Sequence, residues 1–171
     1  MRHWIHGPLA HCEDTNVVFF RGISLDVVTQ GLLGLRRMPL AHGKGTDWGL
    51  LLHDMHSWDA GDYEPADYRG LCSGGGELVV FVTEPCRAKA HGPRFEYHRD
   101  GRLITRFRFE TLDYRAGEEP DLLLPALTTA NLVAPGARLD TDGDDDDKEE
   151  RIVQAVARFF SLPELEMPPL L

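Results

Sequence analysis

The stretch RFEYHRDGRLITRFRFE, residues 94–110, constrains this chain more than any other. Aromatic and charged residues alternate on both sides of Asp100-Gly101, a pair that favours a tight turn between antiparallel strands. Side-chain parity then decides the loop length, because a one-residue slip sends every side chain to the other face. A two-residue loop would group Phe95 and Tyr97 with Arg106 and Arg108, and Phe107 and Phe109 with Glu96 and His98. A three-residue loop, Arg99-Asp100-Gly101, collects Phe95, Tyr97, Leu103, Phe107 and Phe109 on one face. Glu96, His98, Arg102, Ile104, Arg106 and Arg108 then share the other. The sequence predicts the three-residue loop, with Gly101 at positive φ in a bulge.

Two apolar runs extend the sheet. NVVFFRG (16–22) lacks alternation and reads as a strand buried on both faces, and ELVVFVTE (77–84) reads as the central strand. DWGLLLHDM (47–55) supplies a further strand. Ser24 stands at an N-cap position before a helical spacing of apolar residues at 25, 28, 32 and 35, which Gly31 and Gly34 weaken or end. A helix is expected over 118–132, with Pro125 near its start or at a kink. Asp147 and Glu150 suggest a capping box for an amphipathic helix with apolar positions 152, 153, 156, 159 and 160. The expectation is α+β: a mainly antiparallel sheet of about five strands, covered by two to four helices, in a single domain over 1–162. The proline-rich tail 163–171 is expected to dock on it.

With 171 residues and 42% hydrophobic content, the chain can bury a core without metals or disulfides. Its formal charge of −10 opposes nonspecific binding to nucleic acid or anionic membranes. No apolar run is long enough to span a bilayer, and the first sixteen residues lack the apolar core of a secretory signal. Cys12, Cys72 and Cys86 form no C-x-x-C pair, which suits reduced thiols and a cytoplasmic location. No cofactor is expected.

Several motifs compete for a functional role. Gly70-Leu71-Cys72-Ser73-Gly74 fits G-x-C-x-G, but a nucleophile elbow follows a strand and opens a helix, whereas here a polar segment precedes and a strand follows. Cys72 is therefore expected in a structural turn. His53 and His56 have a spacing that binds metal on a helix, yet they follow a strand-like run and lack an obvious third ligand, unless His3, His6, His11 or Cys12 folds back. Asp140, Asp142 and Asp144 imitate a calcium loop that fails at Asp145 and Arg151, where Gly and Glu are required. GKGT (43–46) lacks the upstream glycine of a phosphate loop. Arg102, Arg106 and Arg108 form a stripe suited to an acidic partner, a phosphate or the chain's own carboxylates. Trp58 and Tyr63, with Trp48, suggest an aromatic contact patch or core residues.

Four ordered pieces, VVFFRGIS, DWGLLLHD, LCSGGGELVVFV and FEYHRDGRLITRF, resemble an actinobacterial family known only as a domain of unknown function. The resemblance spans roughly residues 12 to 110. His53 stands where that family often has Glu, and Cys72 where it often has Ser, so the resemblance gives neither a family-wide catalytic role. It implies no activity. The leading expectation is a non-enzymatic protein-interaction module, of the toxin-neutralising or accessory-subunit kind, with another protein as partner. A small enzyme or ligand-binding protein using Cys72, His53 or His56 is the alternative, and nucleic-acid binding through Arg102, Arg106 and Arg108 a third.

Overall fold

A computed structural model of the chain describes residues 15–44, 47–57, 67–72, 74–82, 94–109, 111–130, 132 and 145–162. Among these, seven strands, β1 (Thr15–Arg21), β2 (Arg37–Lys44), β3 (Gly49–Ser57), β4 (Glu77–Val82), β5 (Arg94–Arg99), β6 (Arg102–Arg108) and β7 (Thr111–Ala116), form one sheet. Its order is β2-β3-β1-β4-β5-β6-β7, and every neighbouring pair is antiparallel. Three helices among the described residues accompany it: α1 (Leu25–Gly34), α2 (Leu124–Thr129) and α3 (Asp145–Phe160), with a 3-10 turn at Arg69–Leu71. The α+β reading holds, but the sheet is seven strands wide rather than about five. The two additional strands are its edges. β2 contains Pro39 and two register shifts, and β7 carries charged Asp113 and Arg115, both ordinary properties of edges that must not template further pairing.

The central runs have no alternation because both sheet faces are covered. Val17 and Phe19 of β1, with Val79, Phe81, Phe95 and Phe107, pack on Leu127 of α2 and Ile152, Val156 and Phe160 of α3. Val18, Phe20, Leu51, Leu78 and Val80 pack instead on Val28 and Leu32 of α1 and on Tyr68, Leu71 and Cys72. Burying one such large apolar side chain stabilises the fold by roughly 1.5–3 kcal/mol. Ser24 caps α1 as expected, its hydroxyl accepting from Val27 N at 3.2 Å. Pro125 lies in the first turn of α2, although that helix spans only six residues of the stretch expected to be helical. α3 begins at Asp145, so Asp147 lies within the helix rather than at its cap. Phe159, expected in the core, is 43% exposed while Ala155 is buried in its place. The tail 163–171 lies outside the described residues.

The hairpin departs from its predicted loop in an informative way. Asp100 and Gly101 both have positive φ, 52° and 75°, and Arg99 pairs with Arg102, so the loop has two residues. Such a turn matches the right-handed twist of the flanking strands. Parity is restored farther along: His98 faces Leu103 but Tyr97 faces Thr105, leaving Ile104 as the additional residue of a bulge. The aromatic face thus keeps Phe95, Tyr97 and Phe107, while Ile104 joins the core and Leu103 moves to the polar face, the reverse of expectation. Bulge and turn together satisfy both demands.

The same hairpin turn holds the glycine-rich turn before β4. The Asp100 carboxylate accepts from Gly74 N at 3.3 Å and Gly75 N at 3.0 Å, and Asp100 N donates to Gly76 O at 2.9 Å. Gly74 and Gly75 have φ of 99° and 96°, a region that side chains beyond hydrogen resist. Asp100→Ala should lower the urea-derived stability by about 1–2 kcal/mol, since it removes the acceptor shared by two N–H groups and strains a left-handed position. Asp100→Asn, which keeps an acceptor and tolerates that conformation, should lose clearly less. Equal losses in the two variants would refute this role.

Candidate functional site

The polar side of the β5–β6 hairpin lies beside the apolar cluster under α1, a cluster whose strand residues come from β1, β3 and β4. A cleft of about 560 Å³ opens there, lined by Asp67, Arg69, Arg94, Glu96, His98, Leu103, Arg106 and Arg108. Strand pairing assembles it. Arg94 sits directly opposite Arg108, and Glu96 directly opposite Arg106. Glu96, 5% exposed, ion-pairs with Arg94 Nε at 2.8 Å and accepts from His98 Nε2 at 3.0 Å. Burial alone would raise the Glu96 pKa, but the His98 hydrogen bond and the Arg94 charge outweigh it, so its carboxyl titrates below the ordinary range. At the rim, both Asp67 oxygens bond the Arg69 guanidinium, at 3.0 and 2.8 Å. That hydrogen bonding holds the Asp67 carboxyl down to about 2.

Beneath the cleft runs a buried polar row. Asn16 Nδ2 donates to the Tyr68 hydroxyl at 3.2 Å, and the same hydroxyl is hydrogen-bonded to His53 Nε2, 2.8 Å away. The Tyr68 ring lies between those of His53 and His98, at 5.8 and 5.9 Å between centroids. Burial pushes the Tyr68 pKa well above its usual value, so it remains a neutral phenol. The row anchors residues 67–72, and with them Asp67 and Arg69 at the rim. His98 Nδ1 is buried with no hydrogen-bond partner among the described residues.

The structure distributes the sequence candidates unevenly. Cys72 is a free, fully buried thiol, within reach of Arg69 O at 3.6 Å and Gly101 N at 3.4 Å, and it does not line the cleft. Burial pushes its pKa up, the reverse of an activated thiolate. His53 is buried in the polar row, and His56 belongs to the same strand rather than to a helix. No cluster of three or more metal-ligating side chains occurs among the described residues. Arg106 and Arg108 reach the cleft, but the two-residue turn puts Arg102 opposite Arg99, and it pairs with Glu118 at 3.6 Å. Trp48 is a core residue whose indole donates to Phe160 O at 3.0 Å. Trp58, Tyr63, the N-terminal His3, His6, His11 and Cys12, and the acidic residues Asp140, Asp142 and Asp144 lie outside the described residues.

Sequence reasoning placed Glu96 and His98 beside the arginines without selecting them as a site, although E-x-H facing R-x-R on paired strands is a readable signal. Arg94 was missed because it opens the strand. Asp67 and Arg69 carry no periodic signal, since a loop brings them to the rim.

This is an α+β protein with an antiparallel sheet and a cationic cleft on one half of one face. The chain belongs to a family of unknown function (DUF6461), whose model matches residues 34–165, from the end of α1 past α3. No curated protein and no solved structure matches it significantly.

Two outcomes are expected. In the folded protein, alkylation of Cys72 at pH 8, followed by peptide mapping, should run at least about tenfold slower than in urea. Comparable rates would contradict the buried thiol. Glu96 has a depressed folded pKa, so its stabilisation is present above the ordinary Glu range and is lost as pH falls through the folded value. Glu96→Gln should therefore be less stable than wild type at pH 7, with the gap closing toward pH 3 in urea titrations. A gap independent of pH would show that the charge plays no part.

Proposed function

We propose that the protein is a non-enzymatic protein-interaction module that receives an acidic segment of a partner protein in the β5–β6 cleft. One observation carries this reading: among the described residues, four arginines and only two carboxylates line a single cleft in a chain of net charge −10. Low-dielectric walls concentrate such a local field, whereas the surrounding acidic surface acts at longer range and is screened over about 8 Å at physiological salt. A short segment confined to the cleft gains the first effect and largely escapes the second. An extended nucleic acid lies along more of the acidic surface and is disfavoured. Three cysteines with one buried thiol fit a reducing, cytoplasmic setting. The partner is one that a small acidic protein neutralises or joins as an accessory subunit.

A catalytic reading has one observation in its favour, the imidazole of His98 held by a carboxylate at the cleft. Its remaining ring nitrogen is covered by protein, however, and the buried Cys72 thiol does not line the cleft. Binding is the better use of this geometry.

Affinity capture from native lysate should compare wild type with the double variant Arg106→Glu, Arg108→Glu, at low and moderate salt and with nuclease added. A stoichiometric partner that survives nuclease and about 150 mM salt, yet is lost with the double variant, supports the reading. Equal recovery by the variant would remove the cleft as the docking surface, and loss on nuclease treatment would favour nucleic acid.

A further inference from the structure

Arg106 differs from the other arginines of the cleft. Arg69 is held by both Asp67 oxygens, Arg94 by Glu96, and Arg108 is engaged within the chain. Arg106 is exposed and makes no direct hydrogen bond or ion pair among the described residues. Glu96, opposite it on β5, attracts it only through space. One guanidinium fork is thus open to a ligand, and one fork matches one carboxylate through two parallel N–H···O bonds.

Arg106 also lines a second depression of about 370 Å³, on the β7 side, together with Ala116 and Tyr114. The β6–β7 pairing builds it. Arg106 stands opposite Ala116, whose methyl group fills little of the space beside the guanidinium. Phe107 and Arg108 are consecutive on β6 but pair with Arg115 and Thr111, so residues 112–114 are additional on β7. A bulge of this kind re-aims side chains, and Tyr114 leaves it 80% exposed. A lone exposed aromatic is ordinary on a protein surface. Tyr114 instead borders the depression that Arg106 lines, and tyrosine beside arginine is the pairing enriched where protein interfaces are strongest.

A segment whose acid meets Arg106 therefore has an aromatic surface next to that contact. In an extended segment the nearest side chains pointing the same way are two positions apart, roughly 6.6 Å. We propose that the partner's segment carries a carboxylate side chain and, two positions away, an aromatic or branched apolar side chain, received by Arg106 and Tyr114 respectively. This proposal rests on the docking reading above. It involves recognition only, with no bond made or broken.

The test titrates the full chain, by fluorescence anisotropy, with a labelled peptide in which one glutamate has phenylalanine at the second position on either side. Two further peptides replace the glutamate by glutamine or both phenylalanines by serine. Arg106→Gln should weaken the parent peptide about tenfold and change the glutamine peptide less than about twofold. Tyr114→Ser should weaken the parent at least about fivefold and change the serine peptide less than about twofold. Arg102→Gln, outside both depressions, should alter neither. Absence of binding by the parent peptide, an Arg106→Gln loss equal for the glutamate and glutamine peptides, or wild-type affinity in Tyr114→Ser overturns the proposal. Capture from lysate separates it from the docking reading. A partner retained by Tyr114→Ser at the wild-type level but lost with Arg106→Glu, Arg108→Glu leaves docking standing and removes the paired motif. A partner retained by both removes docking as well.

Discussion

Among the described residues, one ten-residue helix on one face of seven strands is the constraint from which the rest follows. Seven strands at about 4.8 Å spacing make a sheet nearly 29 Å across, while a helix with its side chains is roughly 10–12 Å wide. α1, with the segment 68–72, covers β1, β3 and β4 on its face, as the apolar cluster there shows. The β5–β6 portion of that face is then left to polar residues, which is why Glu96, His98, Arg106 and Arg108 alternate with aromatics bound for the other face. On that other face α2 and α3 receive Phe95, Tyr97 and Phe107, so the same hairpin is core on one side and cleft on the other. Among the described residues, the cleft lies where the coverage by α1 and 68–72 ends.

The bulge at Ile104 joins fold and site. Without it, a two-residue turn would rotate β6 and exchange its two faces, sending Arg106 and Arg108 toward the aromatic core. With it, the favoured turn and the favoured burial coexist. This detail marks the boundary of what sequence can convey. The aromatic pattern correctly required Phe95 and Phe107 on one face, because removing aromatic surface from water outweighs any preference of the turn. Parity alone cannot distinguish one additional loop residue from one additional strand residue, since both restore the same alternation.

Other differences have the same origin. Runs buried on both faces, the Ser24 cap and the position of Pro125 were legible because each reflects a local rule. β2 and β7 were not, because edge strands are selected against looking like strands: Pro39 interrupts one and charge dilutes the other. G-x-C-x-G stands before a strand, as its chain order suggested, and Gly74, with Gly75 just beyond the motif, docks one turn on another through Asp100. Half of the cleft was visible as alternating charge on β5 and β6. Its rim was not, since Asp67 and Arg69 are positioned by Tyr68, whose own partners Asn16 and His53 lie far away in the chain.

Glu96 explains how so cationic a surface persists before any ligand arrives. Three guanidiniums on adjacent positions of two paired strands, Arg94, Arg106 and Arg108, repel one another. A buried carboxylate at the centre of the group anchors Arg94 and His98 by direct contact and attracts Arg106 through space. Because those contacts depress its pKa, it remains ionised at any pH at which the fold is ordinarily used. A neutral residue there would remove the charge that holds Arg94 and attracts Arg106. One internal counter-ion pre-organises the guanidiniums while leaving the cleft as a whole positive toward a ligand.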